Sequence, residues 1–200
     1  MEKVIEKFYL ENPSMERKKD VIEYMNEHVK YNSAINGTGS FDHVLEGETY
    51  EECMDRYYKI QDNEYAKSID RCPGKTYFLI RKNDNILIGM INIRHHLTPK
   101  MLVHGGHIGY GIRPTERRKG YNKINLYLGL IKALEEFNLD KVMLDCDVKN
   151  LGSDKTIQAL SGVLERSGID YYDGTLTNVY WINTKDSIEK YKDIYQKNII

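Results

Sequence analysis

Two hundred residues, 40% hydrophobic and 30% charged, are enough for one globular domain with a sizeable core. Lys plus Arg (29) nearly balance Asp plus Glu (30), so no global field would draw nucleic acid or an anionic membrane, and any anion site must be local. Apolar runs are too short for a membrane span, Met1-Glu2-Lys3-Val4 starts no apolar signal core, and three cysteines without metal-ligand spacing suit free thiols in a reducing cytoplasm.

Residues 4–10 alternate enough to form a strand, and Asn12-Pro13-Ser14 turns the chain. Ser14 can cap a helix reaching about residue 28, with Val21, Ile22, Met25 and Val29 at helical spacing. After the loop Asn36-Gly37-Thr38-Gly39-Ser40, residues 49–66 read as a second helix. Its apolar face carries Tyr50, Cys53, Met54, Tyr57 and Tyr58, and Pro73-Gly74 closes the region. Residues 76–81 and 86–94 form a hairpin around Asn83-Asp84-Asn85. A connection through Pro99 leads to a third strand, 107–112, stopped by Pro114. There follow a strongly apolar helix at 121–137, a buried strand at 142–148 and a short helix at 153–160. A hairpin (163–172 and 175–182, around Asp173-Gly174) and a helix at 186–198 complete the chain. No linker-like stretch divides this order, which predicts a single-domain mixed α/β sheet flanked by helices. Most of the 16 tyrosines read as amphipathic rim residues.

The segment that carries chemistry is Gly109-Tyr-Gly-Ile-Arg-Pro-Thr-Glu-Arg-Arg-Lys-Gly-Tyr-Asn122. A strand ends, a basic loop containing a glycine follows, and an apolar helix begins. Backbone N–H groups at such a helix start form an anion site reinforced by the helix dipole. Gly120 permits close approach of a phosphate, and Arg117, Arg118 and Lys119 add positive charge. The competing reading is a solvated basic turn that merely starts a helix. Gly109-Tyr-Gly111 lacks the third glycine of a dinucleotide fingerprint, and no GxxxxGK[ST] occurs.

Arg117-Arg-Lys-Gly120-Tyr-Asn122 resembles the Arg/Gln-x-x-Gly-x-Gly/Ala signature of the GNAT N-acetyltransferase superfamily. Gly106 to Pro114, the block Asp145-Cys-Asp-Val-Lys-Asn150 with Ser153 and Gly162-Val-Leu-Glu165, and Tyr180-Trp181-Ile182 are similar to one bacterial branch of it. The resemblance spans residues 76–183 and agrees with the element order. It departs from the family at Asn122, where Gly or Ala is usual, and at Ile157, where many relatives place a tyrosine that protonates the leaving thiolate.

What the resemblance implies is a GNAT-like fold with a splayed, mostly antiparallel sheet. Residues 76–183 would form the acetyl-CoA-binding core, residues 1–75 would shape the acceptor side, and residues 184–200 would add a C-terminal helix. The pantetheine arm of acetyl-CoA would lie between strands 107–113 and 142–148, against backbone groups around Tyr110, Ile112 and Arg113. Arg117, Arg118, Lys119, Gly120, Tyr121, Asn122 and Lys123 would hold the pyrophosphate, and Asn150 with Ser153 would contact the arm from the other side. The acceptor amine would attack the thioester directly. A base matters more than an acid, because an alkylamine near ~10.4 must lose a proton whereas a thiolate near ~8.5 leaves readily.

Candidate bases are His107 and, through a water, Asp145 or Asp147; His107 could equally be structural, and Tyr110 could be an acid or simply pack. His95, His96, His104 and His107 fall close together but fit no familiar metal motif, so no metal is expected. Glu46, Glu48, Glu51, Glu52 and Asp55 could attract a polycation or form a solvated helix face. The expected activity is acetyl-CoA-dependent N-acetylation of a small-molecule or peptide amine by a cytoplasmic monomer or homodimer. The alternative is a non-catalytic acyl-CoA-binding sensor or interaction module.

Overall fold

The computed structural model describes residues 5–200, so Val4, the first residue of the predicted opening strand, lies outside the described residues. The sheet has two parts. Strands β1 (Phe8–Glu11), β2 (Gly74–Arg81), β3 (Ile86–Arg94) and β4 (Ile108–Ile112) form one, in that spatial order and wholly antiparallel. Strands β5 (Lys141–Asp147), β6 (Val163–Ile169) and β7 (Leu176–Asn183) form the other, with β7 in the middle. This is the mixed, mostly antiparallel α/β architecture expected from the sequence.

Helix α4 (Tyr121–Phe137) covers one face with Leu126, Tyr127, Leu130 and Ala133 buried against Tyr77, Ile91 and Ile93 of the first sheet and Val142 and Leu144 of the second. An apolar helix of 17 residues with one wide buried face can only be satisfied by such a sheet. Helices α5 (Leu151–Ala159) and α6 (Thr184–Tyr195) lie on that same side. The opposite face of β2 and β3 is covered by α1 (Lys18–Lys30) and α2 (Tyr50–Lys59) through Val21, Tyr24, Met25, Tyr50, Cys53, Met54 and Tyr57. All three cysteines are free and buried, and no helix of the described residues is long and apolar enough to cross a membrane.

Local competition explains where the elements depart from expectation. In α1, Val21, Tyr24, Met25 and His28 are buried, while Ile22 and Val29 are 38% and 60% exposed. Val21 and Met25 belong to both faces, and the side carrying Tyr24 and His28 wins over that carrying Ile22 and Val29 because it buries more area. Ser14 makes no side-chain cap; a short 3-10 turn (Met15–Arg17) precedes α1, and buried Arg17 pairs with Glu11 and Asp20. The predicted helix at 49–66 is interrupted after Lys59, because the Asp62 carboxylate accepts the Tyr65 N–H at 2.8 Å and starts a separate α3 (Asn63–Ser68).

One polar cluster ties α4 to β2. Glu136 accepts hydrogen bonds from Tyr77 Oη (2.7 Å), Lys75 Nζ (2.9 Å) and Lys132 Nζ (2.8 Å). Burial alone would raise this carboxyl, but the bonds from Lys132, Tyr77 and Lys75 outweigh it and bring it down to about 2. A depressed carboxyl stabilises the fold above its unfolded value near 4.5 and loses that contribution as pH falls toward 2. Chemical denaturation at pH 5 and pH 3 should therefore show wild type losing about 1–3 kcal/mol more than Glu136→Gln over that interval. Parallel losses in the two proteins would remove the cluster as a source of acid sensitivity.

Candidate functional site

The two sheets meet at His107. Its carbonyl accepts the Arg94 N–H of β3 at 2.9 Å, but its own N–H donates to Met143 O of β5 at 2.7 Å. In a regular antiparallel strand both groups of one residue face the same neighbour, so the chain turns over at this point. The ring completes the joint, with Nδ1 accepting the Met143 N–H at 2.9 Å. Behind the joint, Arg94 Nη1 donates to Gly105 O and Gly106 O, both at 2.7 Å, while the Gly105 N–H donates to Asp145 Oδ2 at 2.6 Å. Beyond it, β4 follows β3 and β5 follows β7, and no ladder joins β4 to β5.

The registers settle which backbone groups line this split. The Arg113 N–H donates to Ile88 O, so odd-numbered residues of β4 bond β3, and Ile108, Tyr110 and Ile112 turn their N–H and C=O outward. On β5 the Val148 N–H donates to Leu176 O, so Leu144 and Cys146 bond β7 while Asp145 and Asp147 face β4. Two strand edges thus confront each other across a gap. An extended ligand with amide groups of its own is what such edges can satisfy.

Tyr110 spans the gap, its hydroxyl 2.8 Å from Ser153 Oγ on α5. Burial pushes this phenol above its ordinary range, so it remains neutral at physiological pH. Asn150 caps α5 by accepting the Ser153 N–H at 3.1 Å. The face of β4 away from α4 carries the loop after α1. A Cβ on Gly111 would lie 2.7 Å from Asn36 O, and one on Gly37 2.4 Å from Tyr110 Cα. The Gly109-Tyr-Gly111 spacing therefore serves close loop packing.

At the far end of β4 the chain passes through a 3-10 turn (Pro114–Glu116) and enters α4 at Gly120, which takes φ +85°. Arg118 is also left-handed, at φ +64°. The first turn of α4 has no side-chain cap and no acidic residue, so the positive end of a 17-residue helix is open to an anion. The basic residues are not equally available. Arg117 Nε is drawn back to Ile112 O at 2.9 Å, Lys119 Nζ pairs with Glu116 at 2.8 Å, and Arg113 Nε lies 2.9 Å from Glu27. Arg118 is exposed, Lys123 and Tyr121 lie in the first helical turn, and Asn122 has its Oδ1 buried without a partner.

The predicted residues thus fall into two groups joined by β4. Tyr110, Asp145, Asn150 and Ser153 surround the gap near the joint; Ile112, Arg113, Arg117, Arg118, Lys119, Gly120, Tyr121, Asn122 and Lys123 surround the helix start. The arrangement of His107 does not suit a general base. Its Nδ1 lone pair is spent on Met143, and burial, reinforced by Arg94 and His96, lowers the ring to about 4. Ile157, at the position of the usual tyrosine, is fully buried. Three of the four clustered histidines have separate partners: His95 packs on Phe137 with ring centroids 4.4 Å apart, His104 pairs with Asp170, and His107 holds the joint. Four of the five acidic residues have partners within the protein, Glu51 to Lys18, Glu52 to the Thr49 cap, Glu48 to Arg56 and Asp55 to Lys59, while Glu46 is exposed. Sequence reasoning missed Arg94 and Glu27, whose partners are 11 or more residues away in sequence.

A family model described as an Acetyltransferase (GNAT) domain matches residues 16–161. No curated protein matches the chain. Among solved structures, a chimera of the Vibrio cholerae spermidine N-acetyltransferase SpeG is similar at 14% identity and a TM-score of 0.62, over 92% of this chain and 99% of that one. A GNAT-family acetyltransferase from Bacillus anthracis is 18% identical, with a TM-score of 0.55 over 91% and 98%. RimL, a ribosomal alpha-N-protein acetyltransferase in complex with coenzyme A, is 15% identical, with a TM-score of 0.60 over 89% and 96%.

Proposed function

The chain belongs to the GNAT acetyltransferase family, and from that premise we propose that it moves an acetyl group from acetyl-CoA directly to the amine of a small molecule or peptide. The observation that carries this reading is the unladdered gap between β4 and β5, open at one end to the uncapped start of α4. The amides of the pantetheine arm would pair with Tyr110 and Ile112 on one edge and with Asp145 and Asp147 on the other. The pyrophosphate would sit on the N–H groups of Gly120, Tyr121 and Asn122, with Arg118 and Lys123 as the cations at hand and Arg117 and Lys119 at the rim. Asn150 and Ser153 would close the side of the arm nearest α5. That residues of this chain fit acetyl-CoA is supported further by the absence of any competing carboxylate in the first turn of α4.

An attacking amine needs a lone pair, and the thiolate needs little help to leave. Asp145 stands where the strands part, one carboxylate oxygen held by Gly105, the other available to orient the ammonium or take its proton through water. Neutral Tyr110 carries a hydroxyl at the gap that could donate to sulfur, although its bond to Ser153 suits a tie across the gap equally well. His107 acts as the joint. His107→Asn, whose amide oxygen can accept the Met143 N–H, should keep most of the turnover. It should also flatten the stability profile between pH 6.5 and 4, where the buried neutral ring loses its contribution as pH falls. Loss of turnover in a folded His107→Asn would restore it as the base.

The direct test is release of free thiol from acetyl-CoA across a panel of primary amines and peptide N-termini, beside calorimetry with CoA. Turnover with at least one amine supports the transferase. Micromolar CoA binding without turnover would favour a non-catalytic module, the reading that Ile157 in the place of the usual acid suggests.

A further inference from the structure

Between Ile112 and Tyr121 the chain buries no apolar side chain; Thr115, Arg117, Arg118, Lys119 and Gly120 are exposed, and Arg113, Pro114 and Glu116 half-buried. A loop with no apolar anchor takes its position from polar ties. Two side chains supply them, one from each side of the sheet. From β2, Arg81 Nη1 donates to Glu116 Oε2 at 2.9 Å, with the guanidinium only 10% exposed. From α1, Glu27 reaches across 88 positions of sequence. Its Oε1 accepts both the Thr115 N–H and the Thr115 hydroxyl at 2.8 Å. Its Oε2 forms an ion pair with Arg113 Nε at 2.9 Å, the two side chains 16% and 14% exposed.

Helix α1 does not need this contact for its own placement. Val21, Tyr24 and Met25 are fully buried under it, and Glu27 sits at the edge of that surface. The carboxylate has no apolar role, and it is held below its ordinary range, since the Thr115 and Arg113 bonds outweigh the upward pull of burial. Two hydrogen-bond donors of Thr115 and the Arg113 cation, all from a neighbouring loop, converge on one side chain of a rigid helix, which is a device for fixing the loop.

We infer that Glu27 is a positioning residue for donor binding: anchored on α1, it fixes Arg113 and Thr115 so that the chain beyond them presents the amides of Gly120 to Asn122 outward. This rests on the reading of that loop as the CoA site. It also implies that the acceptor-side helix and the donor loop move together, because one carboxylate joins them.

The probe is CoA itself. Glu27→Ala should raise the Kd for CoA about tenfold, leave kcat at saturating acetyl-CoA within twofold, and raise KM in proportion. Glu27→Gln, which keeps one acceptor for Thr115 but repels Arg113, should fall between wild type and Ala, and it replaces the Ala variant should that fail to fold. Glu23→Gln, on the exposed side of α1, should match wild type throughout. Without any ligand, amide hydrogen exchange over residues 115–122 should quicken in Glu27→Ala while exchange in strands β1 to β4 stays unchanged. Unchanged exchange there, or a CoA affinity within twofold of wild type, overturns the assignment. If wild type binds no CoA, the donor reading fails and this inference with it. If wild type binds and Glu27→Ala binds equally, only this inference fails.

Discussion

Gly106→Ala should cost about 3–5 kcal/mol of stability, a large share of what a domain of this size has. Gly106 sits at φ +56°, where an L side chain is strained by about 1–2 kcal/mol. Steric overlap costs more. An added Cβ would lie 2.5 Å from Met143 O, 2.9 Å from Met143 C and 3.2 Å from Leu144 Cα. All three are backbone atoms of β5, held in its ladder with β7, and cannot rotate aside. The joint must open instead, which sacrifices the His107 N–H bond to Met143 O and strips the buried ring of its Met143 partner. CoA binding should fall with it, since the gap is defined by where the strands are pinned. Gly105→Ala is the control: its left-handed φ of +107° carries strain, but the nearest atom is a guanidinium nitrogen 3.4 Å away on a side chain that can shift. Urea denaturation of the three proteins decides the matter. Equal midpoints for Gly106→Ala and Gly105→Ala would mean that the joint does not set the separation of the strands.

Gly120→Asp should do the opposite, leaving stability nearly untouched while raising the Kd for CoA about a hundredfold or more. At φ +85° a side chain is strained, though Asp is among the residues that tolerate this region best. Nothing lies within 4 Å of an added Cβ, so there is no clash. A carboxylate at the uncapped start of α4 also gains about 0.3–1 kcal/mol from the helix dipole, which offsets the strain. That gain is the reason binding suffers, because the new carboxylate occupies the same N–H groups and field that a pyrophosphate would use, and repels it as a like charge. Gly120→Ala separates the two effects, with a similar backbone cost and far less loss of affinity. Calorimetry with CoA at two salt concentrations reads both variants. A folded Gly120→Asp that binds CoA within threefold of wild type would detach the loop from the donor.

The same contrast marks what can be read along the chain. Elements whose signal is local were legible: the hairpin of β2 and β3, the proline-stopped β4, the apolar α4, and the strand-loop-helix order that put Gly120 at a helix start. Where two local signals competed, the sequence misled. Val21 and Met25 fit a face with Ile22 and Val29 as well as one with Tyr24 and His28, and only the sheet beneath chose between them. Asp62 is a helix-compatible residue in a pattern and a helix starter in a structure, because its carboxylate found the Tyr65 N–H.

The candidate site divides along the same line. The family resemblance, the position of the candidate phosphate loop and the flanking Asn150 and Ser153 could be read from residue order, because they depend on short spans of chain. Their chemistry came from the packing. His107 read equally as a base or a structural residue until its lone pair was found on Met143; the three basic residues of the loop resembled equals until Ile112 and Glu116 claimed two of them. Glu27 and Arg94 gave no sign, since each acts on backbone or side chains far from it in sequence. A side chain's type fixes what it can donate or accept, but which groups reach it, and whether water can compete, is set by packing between distant segments.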